Sequence, residues 1–249
     1  SRSDDQAVKP EDRQFWAFRK LARPAVPTVV STGRVAKPID AFVLARLEEK
    51  ELTFSPEAER LTLMRRAYFD LIGLPPAPEE IDAYLTDDAP DAYDRLIDRL
   101  MQSPHYGERW GRHWLDLAGY ADTLGSDNDA GITNVAEGKW RYRDYVVRSF
   151  NSDKPFDRFL TEQLAGDELV DWRRAEKFTP EMSELLVATG FLRNAPDTTF
   201  APELNTAVTR YQVLHDTVQI ATSSVLGLTV ACARCHSHKF DPIAQQDYY

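Results

Sequence analysis

The sequence predicts a mostly α fold: an irregular multi-helix domain with long loops, preceded by an extended amino-terminal arm. Three observations carry that expectation. Apolar residues recur every three to five positions in segment after segment. Some of these segments open on a capping residue followed by proline, as at Ser55-Pro56 and Ser103-Pro104. No stretch alternates polar and apolar residues in the manner of a half-buried strand, and there is neither an internal repeat nor a low-complexity tract.

In chain order, residues 1–37 are punctuated by Pro10, Pro24 and Pro27 and are expected to be an extended arm. A first helix starts near Pro38, with Ile39, Phe42, Val43 and Leu47 as its apolar positions. A second is expected to open at Ser55-Pro56-Glu57, with its stripe on Leu61, Met64, Ala67, Tyr68 and Leu71, and to stop at Gly73 and Pro75-Pro76. Pro78 to Leu85 and Asp91 to Met101 follow. Ser103-Pro104 then starts a helix in which Trp110, His113, Trp114, Leu117 and Tyr120 are expected to line one broad face. After an irregular acidic segment, 122–138, further helices are expected over 140–150, 155–164, 180–191 and 204–226. Residues 38–249 thus read as one helical domain behind the arm.

Composition narrows the function classes. With 43% hydrophobic and 11% aromatic residues, 249 residues can bury a substantial core. The net charge of −10, from 40 acidic and 30 basic residues, argues against a nucleic-acid binder and suits a basic protein partner. No apolar run approaches the length of a membrane span. The polar stretch Ser1 to Asp12 is not a signal peptide, so an export signal is expected to be removed or to lie upstream; the end at Tyr249 reads as that of a fragment.

The only two cysteines stand in Cys232-Ala-Arg-Cys235-His236, the spacing of a c-type haem attachment site. There both thiols bond the haem vinyl groups and the adjacent histidine binds iron. A thiol–disulfide pair would call for a βαβ setting that is not visible. A zinc site built from Cys232, Cys235, His236 and His238 would crowd its ligands into seven residues without the usual loop between pairs. The expected cofactor is therefore one covalent haem c. For the sixth iron position the candidates are Met64, Met101, Met182, His105, His113, His215 and His238. His113, among aromatic residues on its helix, is preferred over His215, while His238 is too close in sequence to the proximal ligand to reach the opposite face.

The stretch from Gly227 to Ile243, GLTVACARCHSHKFDPI, resembles the signature of the planctomycete cytochrome c family. Further blocks are similar: Tyr106–Ala118, Trp140–Asp144, Phe150–Phe156, Glu162–Asp167 and Ala188–Asn194. The resemblance runs from about Pro38 to Tyr249. It implies an exported protein, periplasmic or associated with the outer side of the cytoplasmic membrane, that carries haem; it also includes the His113 position. Departures are Ser237 where the family commonly has Asp, Gly119 where Arg is usual, and His215 at a typically apolar position.

Lys239 and Arg112 are candidates to pair with haem propionates, with Arg109, Arg141 and Arg143 behind them. Asp122, Asp127, Asn128 and Asp129 are rich in oxygen donors but fail the EF-hand pattern, so a solvated acidic loop is the expectation there. The function expected is single-electron transfer to redox partner proteins, including other cytochrome subunits or domains. The alternatives are a haem enzyme, peroxidase- or dehydrogenase-like, with an open sixth position, and a docking module within a multihaem complex.

Overall fold

The computed structural model describes residues 9–124, 134–199 and 202–249. The fold is mostly α, as the sequence predicts. Among the described residues the helices are α1 (Pro38–Glu48), α2 (Arg60–Leu71), α3 (Pro78–Thr86), α4 (Ala92–Met101), α5 (Pro104–Leu117), α6 (Trp140–Asn151), α7 (Phe156–Ala165), α8 (Pro180–Ala188), α9 (Ala207–Leu226) and α10 (Gln245–Tyr248). Several short 3-10 turns connect them. The extended segments are two-residue pieces, β1 (Thr123–Leu124) and β2 (Asn134–Val135), which pair antiparallel.

Two compact units divide the chain, Lys9–Leu63 and Met64–Tyr249, with the boundary falling inside α2. In the first unit, the Glu48 carboxylate accepts the backbone N–H groups of Val30 and Ser31 at 2.9–3.1 Å, which ties the proline-rich lead-in to α1. Asp40 accepts the N–H groups of Ala36 and Lys37 at 2.9 and 2.8 Å and so caps the start of α1. The helix expected from Pro56 begins only at Arg60. The residues before it have no regular structure: Arg34 donates to the Ser55 carbonyl and its guanidinium lies 5.6 Å from the centre of the Phe54 ring.

The second unit has two hydrophobic clusters. Met64, Ala67, Tyr68, Tyr84, Ala92, Leu96 and Leu100 join α2, α3 and α4. The larger cluster unites α5, α6, α7 and the α8 region through Trp114, Tyr142, Tyr145, Val146, Phe159 and Phe191. At its centre Trp114 Nε1 and Tyr142 Oη both donate to Gln163 Oε1, at 2.8 and 2.6 Å, so the buried amide oxygen is satisfied without water. Beside it the buried Glu162 accepts from Tyr145 Oη at 2.8 Å, Lys154 Nζ at 2.5 Å and Arg158 Nε at 2.6 Å.

The buried face of α5 differs from the expected one. Gly107, Gly111, Trp114, Leu115 and Ala118 face inward, whereas Trp110, His113 and Leu117 are exposed. Glycine sets that rotation. A side chain at Gly107 would meet the Val147 carbonyl oxygen at 2.4 Å, so the α5 and α6 backbones touch where the sequence offers no apolar side chain to mark the contact. α9 lies on α5 through Ile220, whose Cδ1 approaches Gly119, and none of its residues is fully buried.

Candidate functional site

α9 ends at Gly227, whose φ of 65° is the left-handed stop that residues with a side chain adopt only at a cost. The chain then enters a 3-10 turn, Ala231–Arg234, anchored by the buried Val230 and the fully buried Ala233. In a 3-10 turn residues three apart eclipse one another. With Ala233 turned inward, Cys232 and Cys235 are both exposed, and both are free thiols. The backbone N–H groups of Cys235 and His236 each reach the Cys232 carbonyl at 3.2 Å, which closes the turn around the motif.

The three histidines near the chain's end are held differently. His236 is exposed, and its Nδ1 lies 2.8 Å from the Ser237 carbonyl oxygen, which can only accept; Nδ1 therefore carries the proton and Nε2 presents its lone pair. Among the described residues Nε2 has no hydrogen-bond partner. His238 is the reverse. Its Nδ1 accepts the backbone N–H groups of Asp241 at 2.8 Å and Phe240 at 3.3 Å, so in the neutral ring the proton is on Nε2. Its own N–H donates to the Ile243 carbonyl at 2.8 Å, which makes it the organiser of the loop that follows. His215, on α9, bonds through Nδ1 to the phenol of Tyr248 on α10.

These contacts place His215 beside the cysteine turn. Arg234 donates to Gln212 Oε1 at 2.9 Å, one turn before His215 on α9. The Arg234 carbonyl accepts from Tyr249 Oη at 2.9 Å, which ties α10 to the same turn. Burial raises the Tyr248 phenol above its ordinary value, and the nearby Arg234 pulls the other way. Tyr248, Gln212 and Arg234 carry no motif of their own, so sequence reasoning did not single them out. His113 is elsewhere: it is exposed on α5, edge-on to Trp110 with ring centres 5.5 Å apart, and no hydrogen bond or ring contact joins it to residues 231–249.

Of the propionate candidates, Lys239 follows the motif directly and its Nζ lies 5.1 Å from the centre of the Phe240 ring. Arg112 is paired with Asp116 at 2.9 Å and borders a different feature, an open cleft of ≈ 590 Å³ shared with Tyr120, Asp122 and Arg143. Arg143 pairs with Asp144, Arg141 lies over Trp140, and Arg109 packs against Gly73. In the acidic segment, Asp127, Asn128 and Asp129 lie outside the described residues, and Asp122 accepts from Tyr120 Oη. Among the described residues no three His, Cys, Asp or Glu side chains converge as a metal site. Nor is any described helix long and apolar enough to cross a membrane.

A family model described as PSCyt2, protein of unknown function (DUF1549), matches residues 38–249. No curated protein and no solved structure matches the chain. The resemblance to the planctomycete cytochrome c family is thereby corrected: the match over this span is to a domain of unknown function, and no cytochrome c family supports the assignment.

Proposed function

The chain belongs to the PSCyt2 family of proteins of unknown function, and we propose, from the geometry of its carboxyl-terminal segment, that it carries one covalent haem c and passes single electrons. The observation that carries this is the state of His236. Its Nδ1–H is engaged by the Ser237 carbonyl, which fixes the ring and leaves Nε2 for iron, as metal-binding histidines commonly donate their other ring N–H to a carbonyl or carboxylate. Both thiols stand free and exposed on the turn just before it. These residues fit the group: Cys232 and Cys235 would hold it through sulfur and His236 would bind its iron. When bound, haem supplies a centre that takes up and gives back one electron.

His215 is the residue proposed for the sixth position in place of His113. It is tied to the motif through Tyr248 and through its neighbour Gln212, and Tyr248 engages its Nδ1, leaving Nε2. A second imidazole on iron favours electron transfer over a catalytic, open position. Lys239 is the proposed propionate partner. The proposal includes export to the periplasm or the outer side of the cytoplasmic membrane, and redox partner proteins drawn by the charge of −10.

The test is to export the chain in a host that attaches haem and to denature the purified protein. Haem that stays with the polypeptide and gives a reduced α-band supports the reading, with the band lost in Cys232→Ala/Cys235→Ala. Exported, folded protein without covalent haem overturns it.

A further inference from the structure

The amino-terminal arm has a charge opposite to that of the chain. Residues 13–37 hold six lysines and arginines and no aspartate or glutamate, which leaves 24 basic and 40 acidic residues, a net −16, for the rest. Counting Lys9, Glu11 and Asp12 as well keeps the described arm positive. A split of this kind within one chain points to a polyanionic partner for the basic part. Arg34 is already engaged within its own unit, on the Ser55 carbonyl and the Phe54 ring. Arg13, Arg19, Lys20 and Arg23 are exposed, and none of them is paired with a carboxylate among the described residues.

Large apolar side chains stand between these cations. Phe15, Trp16 and Leu21 are 57%, 76% and 97% exposed. Two 3-10 turns, Asp12–Gln14 and Trp16–Phe18, shape this part of the arm and bury none of its residues. The Phe15 ring lies against Trp16 and Phe18, with ring centres 5.7 and 6.4 Å apart, so the aromatic residues gather on one another rather than in a core. Their apolar area forgoes the stabilisation that burial would give.

Charge and apolar area together select the occupant. Nucleic acid would satisfy the cations, and aromatic rings stack on bases, but Leu21 gains nothing there and the net −16 of the remaining chain repels a long polyanion. An anionic bilayer meets both needs. Its headgroups attract Lys and Arg, while Trp, Phe and Leu enter the boundary between headgroups and acyl chains. Salt confines that attraction to groups within about 8 Å of the headgroups, so four clustered cations can act apart from charges elsewhere on the chain. We propose that residues 13–23 are a peripheral attachment site for an anionic lipid surface. Eleven residues with four charges are too short and too polar to span a bilayer, so the contact is interfacial. The site needs neither cysteine and stands independently of the haem reading.

Co-sedimentation of the intact chain with vesicles tests it, using phosphatidylcholine alone and an equal mixture of phosphatidylcholine and phosphatidylglycerol. Wild type is expected to sediment with the mixed vesicles, and to be released by high salt. Replacing Arg13, Arg19, Lys20 and Arg23 together by Gln should weaken binding by about a hundredfold or more, at about fivefold per cation. Trp16→Ser/Leu21→Ser should weaken it by about tenfold. All these positions are exposed, so circular dichroism of the variants should match wild type. Brominated lipid should quench part of the tryptophan emission of bound wild type, and that part should vanish in Trp16→Phe. Wild type that ignores the mixed vesicles, binds phosphatidylcholine equally well, or binds undiminished in the four-Gln variant overturns the proposal. Quenching that survives Trp16→Phe places the contact elsewhere and overturns it too. Self-association of wild type without lipid, abolished in the four-Gln variant, assigns the arm to a second copy's acidic surface and likewise overturns it.

Discussion

Two glycines four residues apart on α5 should respond in opposite ways to the same substitution. A methyl group at Gly107 would lie 2.4 Å from the Val147 carbonyl oxygen and 2.6 Å from Asn151 Cγ. Ordinary C···O contacts are about 3.3 Å or longer, so the helices must part by close to an ångström. Asn151 cannot simply swing aside, because its Oδ1 accepts the Gly107 N–H at 2.7 Å and its Nδ2 donates to the Pro104 carbonyl at 3.1 Å. Overpacking of this kind costs about 1–3 kcal/mol, and loosening the Asn151 hydrogen bonds adds about 1 kcal/mol. The better helix propensity of alanine returns about 1 kcal/mol. Gly107→Ala is thus expected to destabilise by about 2 kcal/mol, a fall in Tm of about 4–8 °C for a domain of this size. At Gly111 the nearest atoms to an added methyl are Val146 Cγ1 at 3.4 Å and Val147 Cα at 3.6 Å, ordinary contacts. Gly111→Ala should therefore stabilise by about 0.5–1 kcal/mol. Thermal and urea melts of the two variants beside wild type decide it. A Gly107→Ala protein as stable as wild type, or a Gly111→Ala protein as damaged as Gly107→Ala, refutes the close approach of α5 and α6.

Glu162 governs acid stability. Burial pushes its carboxyl up, but the hydrogen bonds from Lys154, Arg158 and Tyr145 outweigh that and hold it below the usual carboxylate range. A lowered folded value means stability that is present above the unfolded value and lost as pH falls through the folded one. Unfolding free energy should therefore decline with acid below about pH 4.5, and urea titrations of Glu162→Gln should show a flatter acid limb together with a loss of about 2–3 kcal/mol at neutral pH, less than a fully buried pair because Arg158 is half exposed. Gly227→Ala, at φ 65° with open space around it, should cost about 1 kcal/mol from backbone strain alone, measurable as a small drop in Tm. In haem-loaded protein, His215→Ala is expected to convert the spectrum to high spin while His113→Ala leaves it unchanged; the opposite pattern removes His215 from the sixth position.

Much of the helical architecture was legible because its signals are local. Ser103 caps α5 through its hydroxyl, Pro180 sits at the first position of α8, and Gly227 stops α9. What escaped were features set by tertiary contact. The start of α2 moved to Arg60 because Arg34, twenty-one residues before Ser55 in the chain, engages the Ser55 carbonyl and the Phe54 ring just ahead of it. The inward face of α5 was misassigned because its marks are Gly107 and Gly111, and an absent side chain leaves no trace in a hydrophobic pattern.

That same rotation explains why His113 was preferred over His215 in the sequence. Reading Trp110, His113 and Trp114 as one aromatic face made a pocket wall of a helix side that is in fact split: Trp114 is buried against Gln163 and Phe159, and His113 stands in solvent beside Trp110. The segments 140–144, 150–156 and 162–167 supply Tyr142, Lys154, Glu162 and Gln163, which are hydrogen-bonded to one another or to α5 and α6. The local geometry of Cys232–His236 is one that a five-residue motif can specify, since the turn, the two exposed thiols and the His236 tautomer all arise within six residues. The second imidazole depends on Tyr248, thirty-three residues from His215 in the chain, and only a folded return of 237–249 over the turn brings the two together. A site built from one local half and one long-range half is therefore half visible in sequence, and the visible half is the one that would bind the cofactor covalently.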